Sequence, residues 1–165
     1  MKKSSCSYLP ESSALLFSPG AHSIGFCHCG FFIGRLYNFQ NTSLPDPQID
    51  PSLLNTLRQR CPPQLQQIND VRKDPKVFMN QATATPFTLD TLFYHGVLNG
   101  KATLKLDQEL AFTDVTNRLA VQYLQRPKSF RRQFSKSMIK LGMAGALSGQ
   151  QGEVRLNCRR VNDNA

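Results

Sequence analysis

The sequence predicts a mainly α chain with irregular loops and little β. Three observations lead there. Apolar residues recur at helical spacing, in Leu53, Leu54 and Leu57 and again in Phe130, Phe134 and Met138. Helix-start residues stand ahead of the candidate helices, at Asp50-Pro51, Asp114 and Pro127. Only one stretch, 152–161, alternates apolar and polar residues as a strand would.

Taken in order, residues 1–19 are Ser-rich and read as a loose leading segment. Pro19-Gly20 punctuates the start of a helix-like stretch through His22. The connector 41–52, "NTSLPDPQIDPS", is rich in turn residues. Asp50 then offers a capping carboxylate and Pro51 fits the first helical position. Cys61-Pro62-Pro63 stops that helix. Residues 62–86 read as a long irregular segment, which in a compact domain has a task of its own or is disordered. "FTLDTLFYHGVLNG" (87–100) reads as an amphipathic helix ending near Gly100. Asp114 is expected to cap a helix through Leu124, and Pro127 to open another that Gly142 ends. The Phe130–Phe134–Met138 stripe reads as core packing. The tail 152–161 is expected to be extended, with Val154, Leu156 and Cys158 on a buried face. There is no internal repeat.

At 165 residues the chain suits one domain with a core. No apolar run approaches the length of a membrane span, so a membrane is not an expected partner. Twenty Lys and Arg against 11 acids give a net charge of +9. The plainest reading of that balance is a soluble basic domain. The basic pairs Lys2-Lys3, Arg131-Arg132 and Arg159-Arg160 are short and scattered along the sequence, without interleaved stacking aromatics, so nucleic acid is not an expected partner either. A polyanionic cell-wall or glycan surface stays open. The start, "MKKSSCSYLPESSALLF", is basic but has no clean apolar core, so it is not read as a signal peptide. Asn41-Thr42-Ser43 is a glycosylation sequon that matters only in a secreted chain.

"GAHSIGFCHCGFF" (20–32) crowds two histidines and two cysteines together. Zinc is a poor reading. Cys27-His28-Cys29 lacks the C-x₂₋₄-C spacing, and neither later cysteine brings a partner ligand. A disulfide between Cys29 and Cys61 would close a loop across the Pro-rich connector, worth about 3–4 kcal/mol if unstrained. Two buried thiols are the alternative in a reducing compartment. The cysteine count of five, Cys6 included, leaves at least one thiol unpaired within the chain. A histidine beside Ile24 and Phe26, taken alone, is a core residue more often than a ligand.

The neighbours of His22 change that reading. "GAHSIG", a Cys seven residues after the His, "GRLYNF", "LPDPQIDPSLLNTLRQRCP", "TPFTLDTLFY", "LDQELAF" and "GEVRLNCRRVN" follow in order. Together they resemble the plant secretory (class III) haem peroxidases, over residues 20 to 162, in spacing as well as identity. Residues 1–19 carry no resemblance, which divides the chain into 1–19 and a peroxidase-like 20–165.

The resemblance implies one haem b, with His22 as axial ligand to its iron. A ligating imidazole needs its second N–H held, and the family's acceptor is the Asp of a D-Q pair, here Asp107. Leu106 stands where the family has Ser, read as a packing change. The resemblance also implies one calcium ion, held by Ser23, Thr85, Thr88 and Asp90. All-oxygen ligation suits that hard cation. Ala82 replaces an expected Asp, so the site is expected to be weakened, with Asn80 or Gln81 as lesser oxygen donors. By resemblance Cys29 pairs with Cys61. Cys158 matches a bridging cysteine whose partner lies in the half of the family's fold that precedes the axial histidine. Cys27 and His28 are bystanders.

The family's distal histidine and arginine precede the axial histidine in sequence. A proton acceptor and a positive charge on that haem face are what peroxide cleavage requires. This chain is therefore expected to be the proximal, C-terminal half alone. His28 is too near His22 to reach across a haem, and His95 lies in the calcium-side helix. Three functions follow as expectations. The first is a peroxidase-family chain whose full protein oxidises small phenolic donors with hydrogen peroxide, outside the cell or in the vacuole. The second is an inactive haem-binding or structural fragment. The third is a basic interaction domain.

Overall fold

The computed structural model describes residues 20–64, 72–81, 85–147 and 149–162. The leading segment 1–19, with Cys6, lies outside those residues, as does Ala82. Among the described residues six α-helices carry the architecture. They are α1 (Ile33–Tyr37), α2 (Pro51–Arg60), α3 (Leu92–Leu98), α4 (Lys105–Glu109), α5 (Asp114–Gln125) and α6 (Pro127–Met143). A two-stranded antiparallel ribbon joins β1 (Phe26–His28) to β2 (Lys76–Phe78), with Cys27 opposite Val77. The chain is mainly α, as expected.

Among the described residues two apolar clusters form. The first gathers Phe93, Tyr94 and Val97 of α3, Ala120 and Tyr123 of α5 and Phe130 of α6. Phe134 packs against its edge. The second gathers Phe32, Leu36, Leu53, Leu57 and Val77 around Cys29 and Cys61. The two clusters are tied by the buried Arg35 of α1. Its Nε donates to Asp46 at 2.7 Å, and its Nη1 donates to the carbonyls of Ala102 (2.5 Å) and Thr103 (3.0 Å). A buried ion pair adds little net stability, but removing one partner strands the other charge, so the pair fixes the segment that leads into α4.

Local chemistry explains most helix ends. Asp50 accepts the Leu53 N–H at 3.0 Å, and Pro51 begins α2. Leu53 and Leu57 are buried on its inner face. Before α5 the capping side chain is Thr113, which accepts the Thr116 N–H at 3.3 Å, and Asp114 is the first helical residue. The helix expected over 87–100 is shorter, because 87–91 is not helical. Thr85 Oγ1 donates to Asp90 Oδ2 at 2.5 Å while Asp90 Oδ1 accepts the Leu92 N–H at 2.9 Å. That side-chain turn competes with helix and delays it to Leu92. α6 runs through Gly142 to Met143.

The tail departs from expectation. Residues 149–161 are exposed, and Val154 and Leu156 are more than nine-tenths so. Alternation makes a strand only where a partner pairs with it, and among the described residues β1 and β2 pair with each other and not with this segment. Asn162 closes it as a loop, accepting from Leu156 N and donating to Glu153 Oε1 and Val154 O.

Candidate functional site

His22 sits in a 3₁₀ turn, Ala21–Ser23, that follows Gly20. A Cβ on residue 20 would lie 2.8 Å from Tyr94 Oη and 3.0 Å from Phe130 Cε2. Only glycine lets the turn lie this close to the α3–α6 core, and that contact sets the height of the imidazole. Gly25, at φ +98°, then turns the chain into β1. Phe93 of α3 meets the His22 ring edge-on, with centroids 6.3 Å apart.

Asp107 comes from α4, 85 residues away in sequence. Its carboxylate lies 2.9 Å and 3.0 Å from His22 Nδ1. The carboxylate is almost fully buried, whereas the imidazole keeps 27% of its surface open. The neighbouring Gln108 pins α4: its Nε2 donates to Val97 O at 2.7 Å and its Oε1 accepts Ala102 N at 3.2 Å. The hydrogen bond to Asp107 raises the His22 pKa, against the lowering effect of burial. Burial pushes the Asp107 carboxyl up, opposed by its bond to His22 and by the charges of His22 and Arg35. With Nδ1–H donating to the carboxylate, Nε2 is the nitrogen left with a lone pair, and it has no hydrogen-bond partner among the described residues.

Ser23 is fully buried, and its Oγ has no hydrogen-bond partner among the described residues. Its carbonyl accepts from Asn80 Nδ2 at 3.3 Å. Thr85, Thr88 and Asp90 share one turn, in which Thr88 N also donates to Thr85 O. These are oxygen donors with a single carboxylate among them. No cluster of three or more His, Cys, Asp or Glu side chains able to hold a metal occurs among the described residues. Gln81 donates to Phe78 O at 2.5 Å.

The cysteines separate cleanly. Cys29 and Cys61 are joined by a disulfide, with Cα atoms 5.6 Å apart. Cys27 is a buried thiol on β1, and Cys158 is an exposed one on the tail. Burial, with smaller effects from Asp107 and Asp74, pushes the Cys27 pKa up to about 11. His28 Nδ1 lies 2.8 Å from the carbonyl of Asp74, and Asp74 Oδ2 accepts Gly30 N, so His28 is occupied in holding the loop before β2. His95 is exposed on α3. Leu106 is 60% exposed among the described residues.

A family model described as Peroxidase matches residues 10–126. The chain belongs to the peroxidase family. Among Arabidopsis thaliana relatives of this peroxidase-family chain, Probable peroxidase 61 is 36% identical over 145 residues, covering 88% of the chain and 42% of the relative. Peroxidase 28 is 37% identical over 152 residues, covering 92% and 44%. Peroxidase 37 is 37% identical over 157 residues, covering 93% and 43%. The chain thus spans less than half the length of these curated relatives. The family match starts at residue 10, ahead of the motifs that begin at Gly20.

Sequence reasoning passed over Gly20, Phe93, Arg35 and the anchoring part played by Gln108. Gln108 stood beside Asp107 in the quoted motif. The other three act through contacts that no local spacing encodes.

Proposed function

We propose that this chain supplies the proximal haem face of a plant secretory peroxidase, with His22 Nε2 as the iron ligand and Asp107 as the group that holds its ring. The observation that carries this reading is the 2.9 Å His22–Asp107 contact between a buried carboxylate and a partly open imidazole. The donor set fits the group: one neutral nitrogen directed outward, with the opposite ring nitrogen fixed by an anion. Bound haem would supply the redox iron through which hydrogen peroxide oxidises small phenolic donors. The protein's share is to keep the proton on Nδ1, to enrich Nε2 in electron density through the Asp107 charge, and to hold the ring height through Gly20. The full-length activity, and a location outside the cell or in the vacuole, rest on the family.

Calcium fits less fully. The unpartnered Ser23 Oγ is what a missing cation would leave behind, and Thr85, Thr88 and Asp90 offer further oxygens. One carboxylate supplies little charge, so the proposed Ca²⁺ site is weak.

A second reading is haem binding without turnover by this chain itself. The placement of the other histidines favours it, since His28 is held at Asp74 and His95 is exposed on α3. Adding haemin to the purified chain and recording its spectrum tests the proximal site. A five-coordinate histidine–iron Soret band supports it, and a spectrum identical to free haemin refutes it. Guaiacol oxidation with hydrogen peroxide then separates the two readings. Turnover above that of free haemin favours the first, and turnover no higher favours the second.

A further inference from the structure

Among the described residues His22 keeps one nitrogen without a partner. Asp107 holds its Nδ1 at 2.9 Å, and Nε2 belongs to a ring with 27% of its surface open. The residues beside it in sequence present apolar surface. Ile24, two residues on, is 39% exposed, and Leu106, next to Asp107 on α4, is 60% exposed. Neither of the chain's other histidines is set to cover the far side of a flat macrocycle held by Nε2. Phe93 of α3 meets the His22 ring, and His95, two residues further, projects about 200° around that helix. His28 is tied through Nδ1 to the Asp74 carbonyl at 2.8 Å.

We propose that a second copy of this chain covers that side, so that two chains share one haem and each gives His22 Nε2 to one axial position. This rests on the reading of His22 as the iron ligand. With the same imidazole on both sides, one patch meets itself across a two-fold axis and assembly ends at two chains. A partner's exposed His95 would instead set two different patches together, head to tail, and build longer assemblies. His22 is also the stronger donor. A buried carboxylate enriches its Nε2, whereas His28 leans on a neutral carbonyl. Ile24 and Leu106 lose water as the copies close on the macrocycle. The net charge of +9 on each chain opposes pairing, so pairing tightens as salt screens the repulsion. With both axial positions filled, the pair leaves no open position for peroxide, which favours binding without turnover.

The test titrates haemin into the full chain with exposed thiols blocked, following the Soret band, the spin state and the sedimenting mass. The expected end point is one haemin per two chains, with a low-spin, six-coordinate bis-histidine spectrum and twice the mass of the chain. Dilution or excess haemin should return a five-coordinate, single-chain species. Free imidazole should split the pair and keep the six-coordinate spectrum. His28→Ala and His95→Ala should still pair. Two double variants of equal charge probe the face, with circular dichroism and urea midpoints confirming that both fold as the parent does. Ile24→Lys with Leu106→Lys should raise the pairing concentration roughly tenfold or more, and Ile139→Lys with Met143→Lys by less than about threefold. A five-coordinate single chain at every concentration overturns the pairing and leaves the proximal reading of His22 standing. Assemblies larger than two, pairing lost with His28→Ala or His95→Ala, or an equal effect of the two double variants also overturns it. A Soret band unchanged in His22→Ala removes the proximal reading and the pairing together.

Discussion

Asp107 reaches across 85 residues of sequence to place its carboxylate 2.9 Å from His22 Nδ1. Substituting Asp107 by Ala removes an acceptor that is almost fully buried and leaves the ring nitrogen unpaired. A hydrogen bond to a charged group contributes ~1.5–3 kcal/mol, so Asp107→Ala should lower the unfolding free energy by about that amount in urea. Asp107→Asn, which keeps one oxygen acceptor, should cost less. Haemin affinity should fall by about 10–100-fold in the alanine variant, as when other groups supporting a metal ligand are removed.

The cysteines make a chemical prediction. Iodoacetamide at pH 8 should label Cys158 in the folded chain, because that thiol is exposed. Cys27 should stay unlabelled until urea is added, since it is buried and its pKa lies near 11. Non-reduced peptide mapping should show Cys29 linked to Cys61, and replacing both by Ala should cost about 2–5 kcal/mol.

Alkali should destabilise the fold in a defined direction. Burial pushes Cys27 up to about 11 and Tyr123 up to about 12, and it raises Tyr94 further. In the unfolded chain these groups ionise near ~8.5 for Cys and ~10 for Tyr. Between those values and the folded ones the unfolded state binds fewer protons, so stability falls as pH rises above about 9. The urea midpoint should therefore be lower at pH 10.5 than at pH 7.5. Absorbance at 295 nm should show the Tyr94 and Tyr123 phenolates appearing only with unfolding.

Calcium should stabilise only at high concentration. If the site binds in the millimolar range, 10 mM Ca²⁺ over a ~1 mM dissociation constant adds about 1.4 kcal/mol. The melting temperature should rise between 0.1 and 10 mM and not at micromolar levels. Asp90→Asn should abolish the rise. A chain indifferent to 10 mM Ca²⁺ would remove Ser23, Thr85, Thr88 and Asp90 from the ligand role.

What the sequence disclosed follows from the range of the forces involved. The start of α2 was legible because Asp50, Pro51 and Leu53 act within one turn. The β1–β2 ribbon was not, since three-residue strands have no readable period and their pairing spans about fifty residues. The tail 152–161 shows the converse error, a strand-like alternation that pairs with no strand among the described residues. Thr85 and Asp90 shortened α3 by a side-chain turn that competes locally with the helix. For the site, His22 and Asp107 were singled out by the order of motifs. Their contact depends on Gly20 against Tyr94 and on Gln108 against Val97, which belong to the packed molecule alone.

The most direct test of the central claim is a haemin titration of the parent chain beside His22→Ala, His28→Ala and His95→Ala, followed at the Soret band. The account predicts that the histidine–iron spectrum disappears with His22→Ala and persists in the other two. A Soret band unchanged in His22→Ala, or one lost only with His28→Ala or His95→Ala, would contradict it.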